Sequence, residues 1–160
     1  MLLLLIMVSL LPLSIFAQLE SYSFSELDSL QTAEEKNMVV FLHTDWCRYC
    51  QVMKNTTFTD EKIINLLNEE FWFADLNAET KQDIDFHGHT FKYKPTGYKT
   101  GTHELAEQLG TINGKMTYPT ICILNAEYEI IFQYGELLSA NELLGVLKKI
   151  LVKNENECCP

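Results

Sequence analysis

The chain has 160 residues, with 12 Lys and Arg against 22 Asp and Glu, for a formal net charge of -10 at pH 7. That length is one domain's worth, enough for a sizeable core, and the strong acidity argues against a nucleic-acid or anionic-membrane role, which would need a basic face. Five cysteines are an odd number, so a fully paired disulfide framework within one chain is excluded and the core must hold by packing.

Met1 to Ala17 is apolar, uncharged and ends on a small residue before Gln18. This is the pattern of a secretory segment cleaved after Ala17, assigning 1–17 to a signal peptide. No Lys or Arg precedes the apolar run, and Ile15 stands where a small residue is usual, so a retained membrane anchor is the rival. The run is short for a bilayer crossing, which takes about 20 residues. Residues 18–153 then read as one domain and 154–160 as a flexible acidic tail. Ser23 to Asp28 carries a helix start, with Ser25 as N-cap. Phe24, Leu27, Leu30 and Ala33 form its apolar stripe, and Asn37 is its stop.

Met38-Val-Val-Phe-Leu42 is short, apolar and β-branched, the signature of a buried strand. It leads through His43, Thr44, Asp45 and Trp46 into Cys47-Arg48-Tyr49-Cys50, after which Gln51 to Asn55 continues as a helix. A thiolate at Cys47 would face the unpaired N–H groups and positive dipole end of that helix, which lowers its pKa below about 8.5. Cys50, three residues on, shares the same helical face, within disulfide range. The pair reads as a dithiol switch, with Cys47 as the nucleophile and Cys50 as the more buried, resolving sulfur. A structural zinc half-site is the rival, and it needs a second ligand pair. Cys122, Cys158, Cys159 and the histidines His43, His87, His89 and His103 supply none by spacing, so no metal is expected. Arg48 beside the thiolate would lower its pKa further and make the couple more oxidising, unless the guanidinium is screened in solvent.

Thr57 to Glu61 suggests a new cap, with Ile63, Ile64, Leu66 and Leu67 on the apolar face of the helix that follows. Phe71 to Asn77 is apolar on both sides and reads as an interior strand. Residues 78–102 form an unusual segment. Asp83 to Tyr93 alternates, turns at His87-Gly88 and alternates again, as a hairpin does, while Lys94 to Gly101 is loop chemistry. His103 to Leu109 is a short helix, capped by Thr102 and stopped by Gly110. Ile112 to Lys115 is a turn, Thr117 to Leu124 a strand entered through Pro119, and Tyr128 to Tyr134 a second strand. Leu137 to Val152 closes the chain as a helix capped by Ser139. Cys122, among Ile121, Ile123 and Leu124, reads as an inert core thiol.

Trp46-Cys47-Arg48-Tyr49-Cys50 after an apolar strand, with Tyr118-Pro119-Thr120 before a later one, resembles the thioredoxin superfamily, and within it the secreted, envelope-type proteins. The resemblance runs over roughly Phe24 to Val152 and implies an α/β thioredoxin-like fold. In that fold a central mixed β-sheet is flanked by helices, here with an inserted hairpin and loop segment before the cis-Pro strand. It implies that Pro119 follows a cis peptide bond and faces the dithiol, so that the Tyr118 backbone can pair with an extended substrate. Trp46, Arg48 and Tyr49 would shape the site around Cys47 and Cys50, and no cofactor beyond that redox-active pair is implied. Two departures stand out. Thioredoxin-like reductants usually carry Gly-Pro where this chain has Arg48-Tyr49. Phe41 stands where cytosolic thioredoxin has a buried Asp that serves proton transfer to the second cysteine. A water chain or another group must serve instead, or the step is less assisted; His43 and Asp45 are nearest in sequence, and His43 reads first as structural.

The implied function is a periplasmic thiol–disulfide oxidoreductase that exchanges disulfides with envelope proteins. Its partners would be protein thiols and disulfides and an upstream redox protein, for a monomer without nucleic acid and without stable membrane insertion after cleavage. A non-catalytic module docking extended peptides near Pro119 is the alternative. A metal-handling protein using Cys47 and Cys50 is a further one.

Overall fold

The computed structural model describes residues 18–157, so the proposed leader and the Cys158-Cys159 pair lie outside the described residues. Strand β1 (Asn37–His43) is the centre of the molecule, buried at every position. It pairs in parallel with β2 (Phe71–Asn77) and antiparallel with β9 (Thr120–Leu124), which carries β10 (Ile130–Tyr134), giving the order β10-β9-β1-β2. The alternation of a strand divides its side chains between two cores. Met38, Val40 and Leu42 face α1 (Phe24–Ala33) and α4 (Glu104–Gly110), with Phe86 and Phe91 of the inserted segment completing that side. Val39 and Phe41 face α2 (Arg48–Asn55), α3 (Glu61–Glu70) and α5 (Ala140–Glu157). The fold is the mixed α/β sheet with helices on both faces that the sequence implies.

Several local expectations change. Helix α1 starts two residues earlier than expected, because Ser23, not Ser25, is its cap. Glu26 at the third helical position returns a bond to the Ser23 backbone N–H at 2.8 Å, closing a reciprocal capping box. Gln31, not Ala33, takes the buried place late in the helix, its side-chain N–H donating to the Ala126 carbonyl at 3.2 Å. Asn37 begins β1 and is no helix stop. Strand β2 lies at the end of the sheet order, yet both its faces are covered and the Tyr22 N–H donates to the Phe73 carbonyl at 2.9 Å. Apolarity on both sides reports covered faces, not a central position.

In the inserted segment, β3 (Ile84–Phe86) and β4 (His89–Phe91) form the expected hairpin. Its two turn residues, His87 and Gly88, both have positive φ (50° and 71°), as a tight hairpin of this hand requires. Lys94 to Gly101 is more than loop: β5 (Tyr93–Gly97) and β6 (Thr100–His103) make a second hairpin with Tyr98 exposed at its tip. Helix α4 is capped by His103 and not by Thr102, since the His103 Nδ1 accepts the Leu105 N–H at 3.3 Å, and Gly110 belongs to its last turn. His103 is fully buried, so it is not the solvent-facing histidine its loop setting suggests. Burial also lowers its pKa. The pair β7 (Thr111–Ile112) and β8 (Lys115–Met116) frames the expected turn at Asn113-Gly114. Helix α5 has its Ser139 cap and runs on to Glu157, so residues 154–157, expected in a flexible tail, continue the helix.

Candidate active site

The C-terminal end of β1 delivers the chain into a tight turn, where the Cys47 N–H donates to the Thr44 carbonyl at 3.2 Å, and α2 begins immediately after. Cys47 is the N-cap of that helix, and the Cys50 N–H donates to its Sγ at 3.1 Å. The Cys47 sulfur therefore occupies the place where the helix offers its unpaired N–H groups and positive dipole end. Cys47 and Cys50 are joined as a disulfide, with S–S 2.00 Å and Cα atoms 5.3 Å apart. Cys47 keeps a 5% opening to solvent while Cys50 has none.

Around that opening stand the aromatic residues. Trp46 and Tyr49 are each 65% exposed, and Trp46 meets Tyr118 edge to face at 6.0 Å between ring centroids. The Tyr118–Pro119 bond is cis, and β9 leaves this corner beside β1. The Trp46 indole N–H donates at 3.1 Å to Glu79, at the start of the inserted segment. The Tyr118 phenol is pushed up to about 12, by burial first and then by the negative charges of Glu79 and Glu107. It is a neutral wall of the site. Arg48 points into solvent, so water and salt screen its charge. Asp45 accepts the Asn77 side-chain N–H at 3.0 Å, which ties the turn to the end of β2.

Where β1, β2 and α2 meet lies a group of which sequence reading named only His43. His43 ends β1, Asp75 lies on β2 opposite Phe41, and Lys54 is one turn beyond Cys50 on α2. The His43 Nε2 contacts Asp75 Oδ1, and Lys54 Nζ lies 2.9 Å from Asp75 Oδ2 and 3.1 Å from the same His43 nitrogen. Burial works to raise the Asp75 pKa, but the hydrogen bonds and charges of His43 and Lys54 outweigh it and hold the carboxyl below its ordinary range. Phe41 stacks on His43 at 5.6 Å and belongs to the buried cluster that contains Cys47 and Cys50. The Cys50-to-Lys54 spacing was readable as one helical face. The partnership with Asp75 needed the strand register and was not readable.

The remaining candidates stand apart. His87 rests on Tyr128 and His89 on Phe91, both away from the dithiol in the first hairpin. Among the described residues no three His, Cys, Asp or Glu side chains gather as a metal site would require. Cys122 is a buried free thiol whose pKa burial pushes up to about 12, which keeps it protonated and inert.

The fold has solved relatives in kind. A thioredoxin from Thermus thermophilus superposes with TM-score 0.60 at 23% identity, over 85% of this chain and 89% of its own. The DsbH oxidoreductase does so with 0.59 at 17%, over 83% and 84%. A putative disulphide-isomerase from Bacteroides thetaiotaomicron gives 0.55 at 22%, over 81% and 88%. These likenesses carry the fold. Comparison with curated protein sequences found no match. The family model described as thioredoxin-like matches residues 26–126. That stretch is more than half of the chain and takes in β1, the dithiol and Pro119, so the chain belongs to the thioredoxin-like family.

Proposed function

We propose that the protein is a thiol–disulfide oxidoreductase that exchanges disulfides with envelope proteins through Cys47 and Cys50. The observation that carries this reading is the joined pair at the start of α2, with Cys47 as the cap keeping a slight opening to solvent and Cys50 fully buried. In the reducing direction the Cys47 thiolate attacks a partner disulfide. One partner sulfur bonds to Cys47, and the other leaves with the electron pair. Cys50 then attacks Cys47, the Cys47–Cys50 bond forms, and the second partner sulfur leaves reduced. In the oxidising direction the same steps run backwards and a partner dithiol acquires the disulfide. Trp46, Tyr49 and Tyr118 form the apolar rim against which a partner segment lies, with the Tyr118 backbone before Pro119 as its pairing edge.

The envelope setting rests on the apolar segment 1–17 and its boundary at Gln18. Among the described residues no helix is long and apolar enough to cross a membrane. An upstream redox protein recharges the pair in this reading. Insulin reduction coupled to dithiothreitol is the test. Turnover that disappears in Cys47→Ser supports the oxidoreductase, whereas binding of extended peptides without turnover turns the reading to a docking module. Amino-terminal sequencing of the protein from fractionated cells should begin at Gln18 in the periplasmic fraction.

A further inference from the structure

Cys50 is fully buried, yet to attack the mixed disulfide at Cys47 it must give up a proton. An anion in that setting is costly without a group that takes the proton or answers the charge. The aromatic rim offers no base, and the exposed charges of the turn, Asp45 and Arg48, lie on the solvent side. At the end of β1, His43 meets Asp75 from β2 and Lys54 from α2, the three in mutual contact, with Lys54 one helical turn beyond Cys50. With His43 Nε2 turned to Asp75, the other ring nitrogen is the one left over. His43 Nδ1 and the neighbouring Thr44 Oγ1 are buried and have no hydrogen-bond partner among the described residues. His43 is 6% exposed, so that nitrogen is an unsatisfied acceptor inside the protein, in the strand end that runs into the dithiol. Most buried side-chain polar atoms are paired, so an unpaired ring nitrogen here calls for an explanation. An imidazole with one N–H held by a carboxylate has its other nitrogen free to act as a base.

We propose that His43, oriented by Asp75 and Lys54, receives the proton of Cys50 as that thiol closes on Cys47. This rests on the oxidoreductase reading above. As the Cys50–Cys47 bond forms, the bond from Cys47 to the partner sulfur breaks and its electron pair leaves on that sulfur. The Cys50 proton moves to His43 Nδ1, and it returns to Cys50 when the disulfide is next reduced. The oxidant is the partner disulfide. Asp75 and Lys54 are positioning residues: they hold the imidazole and balance the charge it gains.

The test is stopped-flow reaction of the reduced full-length protein with one equivalent of 5,5′-dithiobis(2-nitrobenzoate), with Cys158→Ser and Cys159→Ser so that only the site reports. The first thionitrobenzoate marks attack by Cys47 and the second marks closure by Cys50. In His43→Gln the ratio of second to first rate should fall at least about tenfold, and the acid-side inflection of the second phase should vanish. Asp75→Asn and Lys54→Met, which leave the imidazole in place, should lower the same ratio and serve if His43→Gln fails to fold. Equal slowing of both phases, or a second phase with its rate and inflection intact, overturns the proposal. A parent protein that releases no second thionitrobenzoate instead sinks the oxidoreductase reading itself.

Discussion

At Arg48 the surroundings decide how far a charge reaches. The residue follows Cys47 directly, but it is exposed, where ionic contacts are worth about 0–1 kcal/mol. Since about 1.4 kcal/mol corresponds to 30 mV for a two-electron couple, Arg48→Ala should lower the potential of the Cys47–Cys50 couple by no more than about 20 mV. Equilibration with glutathione measures it, and a larger drop would show the guanidinium acting at close quarters. Asp75 is the opposite case. Burial raises its pKa, but hydrogen bonds and charges from His43 and Lys54 hold it below the ordinary range. A carboxyl with a lower pKa folded than unfolded binds fewer protons in the native state. The stability it adds is present above the unfolded value of about 3.9 and is lost as pH falls through the folded value. Asp75→Asn should therefore lower the urea midpoint at neutral pH, with the gap to the parent narrowing near about pH 3. A gap that stays constant with pH would mean that the carboxylate charge contributes nothing.

Elements whose residues decide locally were readable, and those assembled by backbone alone were not. The run 38–42 is a strand because its residues allow little else, and the cysteine pair marks the helix that follows. The start of α1 was misplaced although Ser23 and Glu26 have capping-box spacing, because Ser25 and Asp28 offer the same spacing two residues later. Geometry chose the first pair. The β5–β6 hairpin was missed because Lys94-Pro-Thr-Gly has turn composition and is exposed throughout, so nothing in its side chains advertises pairing. Its strands lie close at Gly101, where a Cβ would collide with the Lys94 carbonyl and the Tyr93 ring. Gly101→Ala should consequently destabilise the protein by about 1–3 kcal/mol, the range for overpacking. Proteolytic cleavage within 93–103 should appear before cleavage elsewhere, and unchanged resistance would show that the hairpin takes up the added methyl without loosening.

For the molecule as a whole, one sheet keeps two cores apart and gives each a task. The face under α1, α4 and the hairpins carries the inserted segment, and the face under α2, α3 and α5 carries the dithiol. The dithiol and Pro119 were legible because each is a short motif at a strand end. The group of His43, Lys54 and Asp75 was not, since its members are distant in sequence and meet only when β1 and β2 align Phe41 with Asp75.

The Cys50 amide that leans on the Cys47 sulfur turns one peptide proton into a gauge of electron count. An ionised sulfur accepts more strongly than a bonded one. Deuterium should thus replace that proton more slowly once the pair has gained two electrons, and magnetic resonance of the two forms would display it. A proton that exchanges at one pace in both would mean that the entrance of the helix is blind to its own chemistry.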